Sequence, residues 1–316
     1  MAEFTELEIS RRIATMKVGF AGGFYPLPPG VPEADGMLWR LNHTADMGGS
    51  VYPMYPFPKT AEDRAAFKAR ADELGISLEG PVMGLFPELG EDPASNVAAV
   101  RAELEKAKEM GVKVVRGAYG RLRVAYSRWA GNGANRKVEA DRRKAHLVGC
   151  LKSAAPLAEE AGVRIAIENH CDFFGYEWAE MFAEIDSPWI GAALDTANGF
   201  SVGYDANDDV EALAEWAFTT HIKDMRMIQH PLKWAIPFLP VGCRLGEGHV
   251  DIPRALRLLA ERSPAAVGLH LIVEPGWEPE GSIPEAELPP GEMRHQILDH
   301  GVEYLNNYVA EHRAQV

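Results

Sequence analysis

Short apolar runs alternate with amphipathic stretches along most of the chain, always in the same order. Eight runs read as strands: MKVGFAG (16–22), SVYPM (50–54), ISLEGPVM (76–83), KVVRGAY (113–119), RIAIENH (164–170), IGAALDTAN (190–198), THIKDM (220–225) and GLHLIVEP (268–275). Several are apolar without strict alternation, the pattern of a parallel sheet covered on both faces. Helical period marks the stretches 60–75, 94–111 and 142–162, with Gly75, Gly111 and Gly162 where helix C-caps belong. A last helix is predicted over 292–312. Repeated strand–helix units predict an α/β fold, a (β/α)8 TIM barrel occupying residues 1–316 as a single domain. A doubly wound sheet is the alternative, but Gly22 and Gly23 alone do not make a dinucleotide fingerprint.

Three segments that follow strands, 23–34, 120–137 and 226–250, exceed the usual βα connection. In a barrel they gather over the C-terminal mouth, where such enzymes carry their chemistry, so they are expected to cover a substrate. The second mixes Arg121, Arg123 and Arg128 with Tyr126 and Trp129.

Composition narrows the function. The chain is 47% hydrophobic and 25% charged, as in soluble globular proteins. No apolar run approaches the ~20 residues that span a bilayer, and the first residues lack a signal-peptide pattern, so a cytoplasmic location is expected with no membrane partner. Cys150, Cys171 and Cys243 have no CxxC spacing and are expected to be buried free thiols. A net charge of −14 opposes a phosphate backbone, which argues against a nucleic-acid partner despite the arginines of 116–128.

The strand RIAIENH ends abruptly in Glu168, Asn169 and His170, and it is not alone. Asp195 ends the next strand, His221 lies on the following one and Glu274 ends the last. The intervals are 27, 26 and 53 residues: one βα unit each for the first two, and a unit lengthened by the third long segment for the last. Neighbouring barrel strands would bring these four side chains around one point. Three carboxylates and one imidazole suit one divalent ion, with Mn²⁺ the leading choice, Mg²⁺ or Co²⁺ as alternatives and Zn²⁺ still compatible.

The stretches AIEN (166–169), LDTAN (194–198), HIKD (221–224), GEGHVDI (246–252) and IVEP (272–275), in this order, resemble the sugar isomerase and epimerase superfamily. The resemblance implies a xylose-isomerase-like TIM barrel, with Glu168, Asp195, His221 and Glu274 as metal ligands and the two glutamates doubling as proton-transfer groups. It also implies a sugar or sugar derivative as the small-molecule partner, and a homo-oligomer. The position three residues after Asp195 is Asn198, where ketose 3-epimerases and endonuclease IV often carry histidine. A three-metal nuclease cluster cannot be assembled, since SVYPM has no histidine.

The chemistry expected of such a site is proton abstraction next to a carbonyl through an enediolate, with Glu168 or Glu274 as base. His249 and Lys223 are further candidate catalytic groups; Arg116, Asn198 and Trp129 are candidate substrate contacts. With a leaving group beside the acidified carbon, the same site would act as a lyase. The resemblance therefore leaves a second reading open, the catalytic subunit of a C-glycoside deglycosidase associated with a small second subunit. A catalytically silent sugar-binding subunit is a third. A metal-free carboxylate-pair glycosidase would leave His221 without a role.

Overall fold

The computed structural model of the chain describes residues 4–119, 126–229, 238–276 and 293–316. In chain order its first half holds α1 (Glu6–Ile13), β1 (Lys17–Phe20), α2 (Gly36–Asp46), β2 (Val51–Pro53), α3 (Ala61–Leu74), β3 (Ser77–Pro81), α4 (Val97–Glu109), β4 (Val114–Ala118) and α5 (Asn135–Ala161). There follow β5 (Arg164–Glu168), α6 (Gly175–Ile185), β6 (Ile190–Asp195), α7 (Asn198–Ser201), α8 (Ala206–Leu213), β7 (Ala217–Ile222), β8 (Asp224–Gln229) and β9 (Phe238–Cys243). The chain ends with α9 (Ile252–Arg262), β10 (His270–Val273) and α10 (Met293–Arg313).

Eight of the strands form one parallel sheet in the order β1-β10-β7-β6-β5-β4-β3-β2. Its edges meet where the Ser50 amide donates to the Val18 carbonyl (2.7 Å) and Ser50 Oγ accepts from the Val18 amide (3.1 Å). Gly19 allows this approach, because a Cβ there would overlap the Val51 carbonyl. The sheet is thus a nearly closed (β/α)8 barrel, as the alternation of patterns predicts.

Period-two side-chain alternation decides what each strand sends inward. On β5, Ile165 and Ile167 join the large cluster packed under the helices, whereas Ala166 belongs to an inner cluster with Val114, Ala193 and Phe218. Glu168 shares the inward parity of Ala166, which is why a carboxylate follows small apolar residues into the barrel. Left-handed Gly75 (φ 69°) and Gly162 (φ 66°) cap α3 and α5 at the predicted positions. The helix predicted over 142–162 begins seven residues earlier, at Asn135, so it absorbs the end of the second long segment.

The seventh strand departs from expectation. It covers Ala217–Ile222 rather than 220–225, and Asp224 to Gln229 instead pair antiparallel with β9 as a hairpin within the third long segment. Asp224 explains the break: its carboxylate accepts the amides of Met225 (2.8 Å), Gly246 (3.0 Å), Gly248 (2.8 Å) and Val250 (3.1 Å), binding the strand start to the GEGHVDI turn. All three cysteines are free, but Cys171 is only half-buried, since it sits in the loop after β5. Among the described residues no helix is long and apolar enough to cross a membrane. Arg121, Arg123, residues 230–237 of the third long segment and residue 292 of the last predicted helix lie outside the described residues.

Candidate metal centre

Four consecutive strands of the sheet, β5, β6, β7 and β10, carry the four predicted donors at or just beyond their C-terminal ends. The ligand atoms of Glu168, Asp195, His221 and Glu274 lie within 4.8 Å of one another, and all four residues are buried. Register explains the convergence: Asp195 pairs with His221, His221 pairs with Ile272, and Glu274 follows Ile272 by two residues on the same inward face. His221 Nδ1 points into the group, 3.2 Å from Glu168 Oε1, 3.4 Å from Glu274 Oε2 and 3.9 Å from Asp195 Oδ2.

Short polar residues hold these side chains still. Asn169 grips Asp195 on both backbone sides, its Oδ1 accepting the Asp195 amide (2.7 Å) and its Nδ2 donating to the Asp195 carbonyl (3.0 Å). Asp195 Oδ1 accepts the amides of Ala197 and Asn198, both at 2.9 Å, which leaves Oδ2 for the cluster. Thr196 Oγ1 donates to the Lys223 carbonyl (2.7 Å) and accepts the Lys223 amide (2.9 Å), locking β6 to the end of β7. The polar tip of RIAIENH therefore has two uses: Glu168 enters the cluster and Asn169 braces its neighbour.

The electrostatics are those of a crowded anionic site. Burial alone would raise the Glu168 carboxyl, yet the charge and hydrogen bond of His221 and the Arg116 guanidinium hold it well below the usual range. Glu274 is brought to about 2 against the same burial by Lys223 and His221. Asp195, the most enclosed, is pushed up to about 6 by burial, with Lys223 opposing. Burial and the Arg116 charge disfavour a protonated His221, but Glu274 and Glu168 outweigh them and raise it to about 9. Lys223 Nζ lies 2.9 Å from Asp195 Oδ2 and 2.5 Å from Glu274 Oε2. The three carboxylates thus draw in every positive group within reach, a proton on His221 included. A buried anionic group of this kind is costly unless cations compensate it. Oxygen-rich donors with one inward nitrogen fit a hard or borderline divalent ion, whose binding would displace the imidazole proton.

The sequence profile described as "Xylose isomerase-like TIM barrel" matches residues 43–307, most of the chain. The chain belongs to that family. Similar solved structures include D-psicose 3-epimerase with D-tagatose from Clostridium cellulolyticum H10, at 14% identity and TM-score 0.60 over 94% of this chain and 99% of that one. The 3-keto-D-glucoside 4-epimerase from E. coli superposes with TM-score 0.58 at 16% identity, over 92% and 99% of the two chains. A xylose isomerase-like TIM barrel protein from Mycobacterium smegmatis, in complex with magnesium, gives 0.60 at 12% identity over 95% and 98%. No curated protein sequence matches the chain.

Within this xylose isomerase-like barrel the other expected residues fare unequally. Lys223 joins the cluster, and Asp224, its sequence neighbour, is engaged by the GEGHVDI turn instead. Arg116 donates to Glu168 Oε2 (3.0 Å) and borders the adjoining cleft. Asn198 is buried, and its Nδ2 lies 3.4 Å from Glu168 Oε1. His249 is not brought to the cluster. The GEGHVDI turn carries it to the surface, where Nδ1 accepts the Met227 amide (3.2 Å) and its carbonyl accepts from Asn207 Nδ2 (3.0 Å). Trp129 is also set apart from the cleft, exposed and flanked by the guanidiniums of Arg128 and Arg136 at 5.0 and 4.8 Å. Arg128 itself pairs with Glu177 (3.2 Å).

One participant is absent from the sequence reading. Glu79, mid-strand on β3, is buried and accepts from Thr219 Oγ1 (2.5 Å), with His270 Nδ1 at 3.0 Å and Arg116 Nε at 3.7 Å. Its hydrogen bonds and charge contacts with His270, and the Arg116 charge, keep it below the usual carboxyl range despite burial. A lone carboxylate inside the apolar run ISLEGPVM was the available signal.

Proposed function

We propose that this chain is a divalent-metal-dependent sugar isomerase or epimerase, moving a proton at the carbon beside a carbonyl. The observation that carries this reading is the double placement of the two glutamates. Glu168 and Glu274 belong to the four-donor cluster and also line the adjoining cleft, whereas Asp195 and His221 belong to the cluster without lining the cleft. Mn²⁺ suits three oxygens and one nitrogen, with Mg²⁺ and Co²⁺ close behind. When bound, such an ion would supply Lewis acidity to a carbonyl and its neighbouring hydroxyl, making the adjacent C–H acidic.

The chain's own groups then divide the work. Glu168 and Glu274 stand at the two ends of the arc of four strands, so one carboxylate takes the proton and the other returns it. Lys223 with His221 holds Glu274 ionised, and His221 with Arg116 does so for Glu168, which keeps both available as bases. Arg116, fixed on Glu168 and bordering the cleft, is the group that would contact the sugar's oxygens, while Asn198, fully buried beside Glu168, would act through that carboxylate. The activities named for the epimerases above, which act on keto sugars, agree with this chemistry.

The test is metal analysis of the purified protein followed by incubation with keto sugars in D₂O. Exchange of deuterium into the carbon beside the carbonyl is expected, dependent on metal. Glu168→Gln and Glu274→Gln keep a coordinating oxygen without carboxylate basicity, so turnover should fall far more than metal content. Wild-type turnover in both variants at full metal would reduce the glutamates to ligands, and a metal-free protein with no exchange would overturn the whole reading in favour of a silent sugar-binding subunit.

A further inference from the structure

The buried cluster contains a cation of its own. Lys223 follows His221 by two residues, one position past the end of β7, and so shares its inward parity. Its Nζ bonds Asp195 Oδ2 (2.9 Å) and Glu274 Oε2 (2.5 Å). Neither oxygen is spare. Asp195 Oδ1 is committed to the Ala197 and Asn198 amides, so Oδ2 is what that residue has to offer an ion, and Glu274 Oε2 is the oxygen beside His221 Nδ1 (3.4 Å). An ion bound by this group draws on oxygens that Lys223 already holds.

Lys223 cannot step aside. It is 1% exposed, its backbone is pinned on both sides by Thr196 Oγ1, and the next residue, Asp224, is tied by four amides. Withdrawal would leave an ammonium buried without an anion, which costs more than sharing one. Glu168, Asp195 and Glu274 bring three negative charges; Lys223 and Arg116, the latter 3.0 Å from Glu168, offset two of them and leave a single one for a divalent ion to meet. The same lysine serves the group when no ion is bound, since converging buried carboxylates repel one another unless a cation stands among them.

We propose that Lys223 is a resident counter-ion of the metal centre. It keeps the four donors assembled without the metal, and it lowers their affinity for the metal because both cations bear on the same oxygens. The metal thus enters and leaves a preformed site, unlike centres whose folding depends on the ion. This role rests on the reading of the cluster as a metal centre, and binding to the wild type checks that reading by itself.

The experiment compares the full chain with Lys223→Met, which fills similar space without charge, and with Lys137→Met as a control, an exposed lysine paired with Asp141 on α5 (2.7 Å). Free Mn²⁺ is followed by electron paramagnetic resonance at fixed pH and salt, and melting curves are recorded in chelator and in saturating Mn²⁺. Lys223→Met should bind Mn²⁺ about tenfold tighter or more, since a unit charge a few ångströms from a divalent one is worth at least that factor even at the dielectric constant of water. In chelator the wild type should stay folded and the variant should melt below it; in Mn²⁺ that deficit should shrink or vanish. A variant that is unfolded in chelator but folds on addition of Mn²⁺ would support the role equally, because the ion then replaces the missing charge. One that stays unfolded in both conditions would overturn it. So would an Mn²⁺ affinity no higher than that of the wild type, unfolding of the wild type in chelator, or a matching gain in Lys137→Met, which would trace the effect to overall charge. Failure of both the wild type and Lys223→Met to bind Mn²⁺ would overturn the metal reading itself, and the counter-ion role with it.

Discussion

Replacing Asp224 by asparagine tests whether one carboxylate organises the chain beyond β7. Its Oδ1 accepts the amides of Met225 and Val250, and its Oδ2 those of Gly246 and Gly248. Asparagine offers one acceptor oxygen and one NH₂ group, so either orientation turns a donor towards two amide donors. Met225 and Val250 are buried and Gly246 is exposed, so the oxygen should stay with the buried pair and the NH₂ should face the glycines. Two orphaned amides at about 1–3 kcal/mol each, towards the lower end where water reaches Gly246, give a loss of about 2–4 kcal/mol. Urea unfolding should show this as a lower midpoint at unchanged slope. Gly248→Ala supplies an internal control, because a Cβ there would overlap Asp224 Oδ1 and force the same bonds apart. The double variant should therefore lose less than the sum of the single losses. An unfolding free energy for Asp224→Asn within about 0.5 kcal/mol of the wild type, the usual size of a surface substitution, would refute the account of the turn.

Asp195→Asn retains an oxygen for the Ala197 and Asn198 amides but loses the anionic Oδ2; metal affinity measured by competition with a chelator should drop beyond the roughly 10–100-fold that loss of a supporting partner costs. Asp209, buried beneath the start of α6 with Oδ1 on the Gly175 amide (2.6 Å), is pushed by burial from 3.8 to about 7. A carboxyl raised on folding stabilises the fold most below its unfolded pKa, so stability should decline as pH rises from about 4 to 7, by up to about 4 kcal/mol. Asp209→Asn should flatten that part of the stability profile, and an unaltered slope would refute the assignment. Gly19→Ala places a methyl group against the Val51 carbonyl where the barrel closes, and chemical denaturation should register a loss of about 1–3 kcal/mol or more.

The strand and helix alternation was legible in the sequence because a sheet buried on both faces demands apolar runs and amphipathic helices leave a 3.6-residue period. Glu168, Asp195, His221 and Glu274 were legible for a related reason: a polar residue that ends an apolar strand is conspicuous, and even spacing along repeated units places it at a known end of a barrel. Glu79 shared that signal without company at its own level, and its partners Thr219 and His270 come from strands more than a hundred residues away. His249 and Trp129 show the reverse case. Their chemistry and position in mouth segments fitted a site, but the turn that Asp224 binds after β9 carries His249 outward, and Trp129 lies exposed between two arginines, away from the cleft. Local pattern thus determined which elements form and which residues stand at strand ends. Which of those residues meet, and what wall they face, was decided by strand order, register and loop packing, because those contacts join parts of the chain whose sequences carry no record of one another.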